Sequence, residues 1–361
     1  MRNILIVFIS LFLMLGCTST KPNIEYITKQ KTVVKENNLE RKDLILIDTK
    51  IDQSDSMAVV FSSSEIGKYA LEATVTINTY LLYKNNNLNV VTYDIDKYKG
   101  KQLIEIFKDI KNKDISKVML MITKSMLPEL IDVDSISKFK IYLPLINSYD
   151  TAISLNTKNL ELTYGAISYK KQFEKLFKCS TVESISEFYD NSSIGSVLHS
   201  YLDNNKINYS RRINDRNGEY KYFLKNKIFT DSTILLNTPI VKSSIILSQI
   251  NALEVNTKQI LSTQLNYTHY LFTLTQKPDR RKVVIANSIG KLPNDLIEYN
   301  NLLNNNIIYN WVNYSTILGV EYLISGNLDL FEGVDIKNNQ VDYLVELYRV
   351  KDNSFEKIEN L

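Results

Sequence analysis

Few side chains in this 361-residue sequence have the types and spacing for covalent or acid–base chemistry. Cys17 stands in LMLGCTST, directly after an apolar run from Ile4 to Leu15 that only Ser10 interrupts. That run is shorter than the roughly 20 residues a helix needs to cross a bilayer. With Arg2 before it and the small Gly16 where cleavage would fall, it predicts a secretory signal with Cys17 first after the cut. Cys179 then has no partner for a disulfide, and a lone cysteine of this kind is expected to pack as a small buried hydrophobe. His199 and His269 are far apart and lack neighbouring cysteines or clustered carboxylates, so no zinc site is expected. A Ser-His-Asp site would need one of them, yet both stand in helical stretches beside apolar residues. The run ELIDVDSI carries Glu129, Asp132 and Asp134, but carboxylates two apart diverge on a helix and predict a solvated face. The ten glycines form no G-x-G-x-x-G or G-x-S-x-G motif. The expectation is a protein that is not an enzyme and uses no cofactor or metal.

The bulk properties support a packed domain. Hydrophobic residues make up 44% and charged residues 23%, which favours a core over disorder. The formal charge of +3 is close to balance and points away from a nucleic-acid surface. Glycine and proline are scarce, at 10 and 6, so turns are weakly punctuated.

The elements that must position any site emerge from the apolar pattern. Residues 17–56 are polar without a sustained period and read as a tether. From Met57 the pattern becomes regular. The buried strand MAVVF ends in three serines, and Ile66, Tyr69, Ala70, Ala73, Ile77 and Leu81 then follow at helical spacing. LNVVTYDID, KVMLMIT and FKIYLPLI supply further strands, separated by helical stretches. The alternation restarts at ISEFYDNS and runs through INYSRRIND, STILLNT, KQILSTQLN and KVVIANSI. Strands alternating with helices mean crossover connections and mainly parallel sheets. The fold class expected is α/β with two doubly wound, Rossmann-like lobes and a cleft between them, over 57–180 and 181–306. Residues 307–361 form a crossover helix, a polar linker and C-terminal strands that return to the first lobe. The helix holds Trp311, the only tryptophan, and is expected to pack between the lobes rather than present an aromatic patch.

Two resemblances follow from these stretches. LMLGCTST resembles the lipobox of bacterial lipoproteins, with Met14 departing from the usual leucine; it implies a signal over 1–16 and lipid, including palmitate, on Cys17. The order of elements over 57–350 resembles type I periplasmic binding proteins, through VVTYDID, ISEFYDNSSIGSVL and ILLNTPIVKSSIILSQI. Two lipoprotein subfamilies come forward: substrate-binding proteins of branched-chain amino acid ABC importers, and activators of penicillin-binding proteins.

In such sheets ligands bind beyond the carboxyl ends of the strands. The candidate ligand residues are therefore Ser62, Ser63, Thr123, Ser125, Asn147 and Ser148 in the first lobe. In the second they are Tyr189, Asp190, Asn237, Thr238, Asn266 and Tyr267, with Tyr149 a further aromatic wall. An amino-acid binder offers hydroxyls and backbone N–H groups to the carboxylate, and a carboxylate to the ammonium. The first loop lacks the Ser-Gly usual in the importers, and Asp190 is the sole acid plainly at a second-lobe strand end. The resemblance thus implies a non-enzymatic envelope lipoprotein that binds a partner, such as a peptidoglycan synthase, or a small polar ligand. The alternative is an importer component serving an ABC permease. The implied location is the membrane facing the periplasm, with the outer membrane favoured.

Overall fold

The computed structural model describes residues 55–97, 103–151, 155–202, 206–214 and 220–359; Cys17, the signal and residues 18–54 of the tether lie outside them. Short apolar runs become the strands. In β1 (Ser56–Phe61), Met57 to Val60 are fully buried on both sheet faces, which is why the run is continuous rather than alternating. Parallel to it lie β2 (Asn89–Asp94) and β3 (Lys117–Met121), and beyond them β4 (Phe139–Leu143) and β5 (Leu160–Tyr164). The second sheet repeats the plan with β6 (Ile185–Asp190), β7 (Tyr209–Ile213), β8 (Thr233–Asn237), β9 (Gln259–Ser262) and β10 (Val283–Asn287). C-terminal strands complete both sheets: β11 (Val334–Lys337), β12 (Gln340–Tyr343), β13 (Glu346–Lys351) and β14 (Ser354–Lys357). The orders are β11-β12-β5-β4-β3-β1-β2 and β14-β13-β10-β9-β8-β6-β7.

Three differences from the sequence reading are physical. Strand β5 and the helix after it were not foreseen, because LELTY is a short alternating run set among polar residues. The polar linker contains β11, whose VDIK is an edge strand that buries little. The C-terminal strands do not return to the first lobe alone: β11 and β12 join its sheet, whereas β13 pairs with β10 of the second.

The longer helices are α1 (Tyr69–Tyr83), α2 (Leu103–Asn112), α3 (Tyr169–Cys179), α4 (Ser193–Ser200), α5 (Ile240–Ala252), α6 (Asn294–Leu302) and α7 (Trp311–Ser325). They divide the core into three parts. The first sheet has its own outer core with α2, around Val60, Phe107, Leu120 and Ile141. The second has an outer core with α5, around Phe188, Ile234, Ile246 and Ile285. The remaining apolar cluster is shared: Met57, Val59 and Tyr142 of the first lobe join Leu235, Val284 and Ala286 of the second through α1, α3 and α7. Helix α7 is the crossover helix; Asn310 caps it, accepting from the amides of Val312 and Asn313, and residues Val312 to Glu321 are buried throughout. Its polar side chains are satisfied inside, Ser315 donating to the Pro144 and Gly165 carbonyls and Glu321 accepting from the Tyr80 hydroxyl. Gly319 of α7 lets it approach strand β4, since a Cβ there would lie 2.4 Å from the Tyr142 ring.

Candidate functional site

The first-lobe candidates sit where the strand order places them, at the carboxyl ends of β1, β3 and β4, but their hydrogen bonds are already used. Ser62 caps the short helix Ser63–Ile66 and donates from its hydroxyl to Asp96 at 3.1 Å. The Ser63 hydroxyl reaches the same carboxylate at 3.2 Å, and the Ser64 amide donates to it at 2.6 Å. The Ser63 amide donates instead to Asp94, at 3.2 Å. Donation from the Ser64 amide, reinforced by the three serine hydroxyls, holds the Asp96 carboxyl below the usual range. Thr123 donates to Glu65 at 2.7 Å, and Ser125 shares a hydrogen bond of the same length with Thr123. Asn147 caps a turn through the Tyr149 amide and donates to the Ala166 carbonyl at 3.0 Å. Ser148 gives its amide and hydroxyl to Gln340. Tyr149 is exposed.

The second-lobe candidates are engaged in the same way, except that the Oδ1 atoms of Asn237 and Asn266 find no partner among the described residues. Asp190, almost fully buried at the end of β6, accepts from the Ser192 amide and hydroxyl and lies 2.7 Å from the Lys242 ammonium of α5. Burial pushes the Asp190 carboxyl up, but Lys242 and Ser192 outweigh it and the net shift is downward. Asp190 is therefore already paired within its own lobe. Tyr189 does not serve as an open wall: its ring stacks on His199 at 3.9 Å with an interplanar angle of 2°. Thr238 and Asn266 are brought together, with the Asn266 amide nitrogen on the Thr238 carbonyl, Ser243 and Ser262. Asn237 donates to Glu187 at 2.8 Å. Tyr267 belongs to an aromatic cluster with Tyr309, Tyr348 and Phe355, and burial raises its phenol well above the ordinary value.

The sequence reading missed the residues that consume these groups. Glu65, Asp94 and Asp96 fill the first lobe; for the last two the acidic end of VVTYDID was the available signal. Lys242, Ser243 and Glu187 fill the second, with no signal beyond helical position. Glu187 is wholly buried and accepts from the Ser210 hydroxyl, while its carboxylate lies 2.7 Å from His199 Nδ1. His199 thus has a structural partner, and His269 lies just before the short helix Tyr270–Leu274 rather than inside one. Asp132 is exposed as expected, whereas Asp134 accepts the amides of Lys158, Asn159 and Leu160 and anchors the approach to β5. Cys179 is buried. Among the described residues there is no group of three or more His, Cys, Asp or Glu side chains that could hold a metal ion. No helix among them is long and apolar enough to cross a membrane.

Between the lobes, Gln172 of α3 is fully buried and donates to Gln264 at 3.2 Å and to Ser288 at 2.8 Å, while accepting from the Gln264 amide. Nearby, where Asn147 and Ser168 face Ser288, the gap measures about 10 Å³. That is room for about one water, against the 300–1,000 Å³ of small-molecule sites. No hydrogen bond among the described residues joins the first-lobe candidates to those of the second.

Compared by sequence, the chain matches no protein-family model and no curated relative. Compared by structure, it superposes on a putative branched-chain amino acid ABC transporter protein from Rhodospirillum rubrum with a TM-score of 0.65, at 9% identity, over 84% of this chain and 100% of that one. The C-domain of Haemophilus influenzae LpoA, a regulator of PBP1A, gives 0.57 at 12% identity over 84% of this chain and 100% of that one. The leucine-binding protein LivK of Thermotoga maritima gives 0.54 at 12% identity, over 84% and 98%. The chain has the type I periplasmic-binding-protein fold. Type I periplasmic binding proteins thus supply the architecture expected from the order of elements, and the neighbours in this fold are binding and regulatory proteins rather than enzymes.

Proposed function

We infer that the chain is a non-enzymatic cell-envelope docking protein, held at a membrane by lipid on Cys17 and engaging a partner protein, with a peptidoglycan synthase the partner favoured. One observation carries this reading. The groups that would take the two charges of an amino acid are already occupied from within, by Asp96 on the Ser62–Ser64 loop and by Lys242 on Asp190. A ligand would have to displace both, taking the serine donors from Asp96 and the buried Asp190 carboxylate from Lys242, and so would forfeit interactions the chain already makes. The shared apolar core supports the same reading, because lobes that pack on common helices open and close around a ligand less readily. The LpoA C-domain, described as part of a PBP1A regulator, is the neighbour whose role fits.

A second reading, a solute-binding protein for an ABC importer, is favoured by Asn237 and Asn266. Both are buried at strand ends, and the Oδ1 of each has no hydrogen-bond partner among the described residues. They are acceptors a small polar ligand can use.

A thermal-shift screen of the soluble form, Thr18 onward, against amino acids, small amides and sugars separates the two. A ligand at about 100 times its dissociation constant adds about 2.7 kcal/mol of stability. The docking reading expects no shift with the native sequence. A shift that Asn266→Ala abolishes would establish the solute-binding reading instead.

A further inference from the structure

We propose that a crevice beside the lobe crossovers docks an extended segment of the partner protein, one that places an apolar side chain between an acidic and a basic one. This rests on the docking reading above. The crevice has a volume of about 530 Å³ and lies beyond the carboxyl ends of β9 and β10, where the chain passes between the sheets. Crevices at that end of an open α/β sheet are where such folds bind. Nothing in the expected strand-end site coincides with it except Tyr267.

The lining defines the occupant. Ile289, Leu292, Ile297, Ile308, Val334 and Leu344 make it apolar. Leu344 is 56% exposed at the lip, an apolar side chain left in water beside other apolar surface. The charges divide into two kinds. Glu346 is neutralised, by Lys357 and by the Tyr348 hydroxyl at 2.8 Å. Lys291 and Glu332, both exposed, make no salt bridge among the described residues. The crevice therefore offers one cation and one anion around an apolar floor, and the complementary occupant carries an acid, an apolar residue and a base. Val334, which opens β11, and Lys357, which closes β14, bring the ends of the outer strands of the two sheets to its walls.

The test is to pan linear random peptides, displayed on phage, against the soluble chain from Thr18 onward, and to titrate the recovered consensus peptide against variants. An apolar residue flanked by opposite charges is expected in the consensus. K291E and E332K each turn an attraction into a repulsion and should weaken binding about five- to tenfold. The double variant should recover affinity for the peptide with its two charges exchanged, and Leu344→Asp should lose binding while melting like the native protein. The proposal is overturned by a consensus without the charge pair, by binding indifferent to K291E and Leu344→Asp, or by no enrichment. Failed panning with a flat amino-acid screen removes this site alone, whereas a shift in that screen removes the docking reading beneath it.

Discussion

The Lys242 ammonium of α5 lies 2.7 Å from Asp190 at the end of β6, so the second lobe neutralises its own strand-end acid. This ion pair does for the lobe what a ligand ammonium does in an amino-acid site, and it ties α5 to the neighbouring strand. Its electrostatics make it the sharpest point at which to test the internal occupancy of the site.

Lys242→Met should cost about 1–3 kcal/mol, less than the 3–5 kcal/mol typical of a fully enclosed pair because the Ser192 donors remain. The pH dependence should also weaken. In the native chain the Asp190 carboxyl titrates below its ordinary 3.8, so its contribution is fully present above about pH 4 and is lost as pH falls through the lower folded value. Without the ammonium, burial is opposed by the Ser192 donors alone, so the carboxyl should titrate higher than in the native chain. The stability lost on acidification should then be smaller than in the native chain, and urea melts between about pH 3 and 6 read this directly.

Gln172→Leu is expected to lower stability by about 1–3 kcal/mol, because it leaves the Gln264 amide and the Ser288 hydroxyl without their buried partner. Hydrogen exchange should quicken at 264–266 and 287–289 while the outer cores keep their protection. If those segments exchange as in the native chain, the amide network does not hold the lobes together.

Gly319→Ala would ordinarily gain helix propensity, by up to about 1 kcal/mol. Here its Cβ meets the Tyr142 ring at 2.4 Å, so overpacking should win and destabilise the chain by about 1–3 kcal/mol. A midpoint at or above that of the native protein would show that α7 can move off β4.

Cys179 is the single thiol of the chain from Thr18 onward, and it is buried. Labelling by a thiol reagent should be slow in the native state and should accelerate with urea along the global unfolding transition. Fast labelling in native buffer would contradict a sealed packing of α3 on the second lobe.

The periodicities determined the two-lobed α/β plan, because parallel strands buried on both faces must be continuous apolar runs such as MAVVF and STILLNT. They also located the strand-end loops, since the fold puts every Ser62- or Thr238-like residue at a carboxyl edge. Strands β5 and β11 escaped for two reasons: LELTY, although inside its sheet, is short and interrupted by Glu161, and VDIK is a half-buried edge strand whose charges dilute the apolar signal. What fills the site was decided by tertiary structure alone. Asp96 meets the Ser62–Ser64 loop across more than thirty residues, and Lys242 meets Asp190 across fifty-two. Pairings at such separations depend on strand register and helix rotation, which a one-dimensional pattern does not contain. The sequence by itself could say where a ligand would bind in this fold, and only the packed chain reveals that its own side chains already stand there.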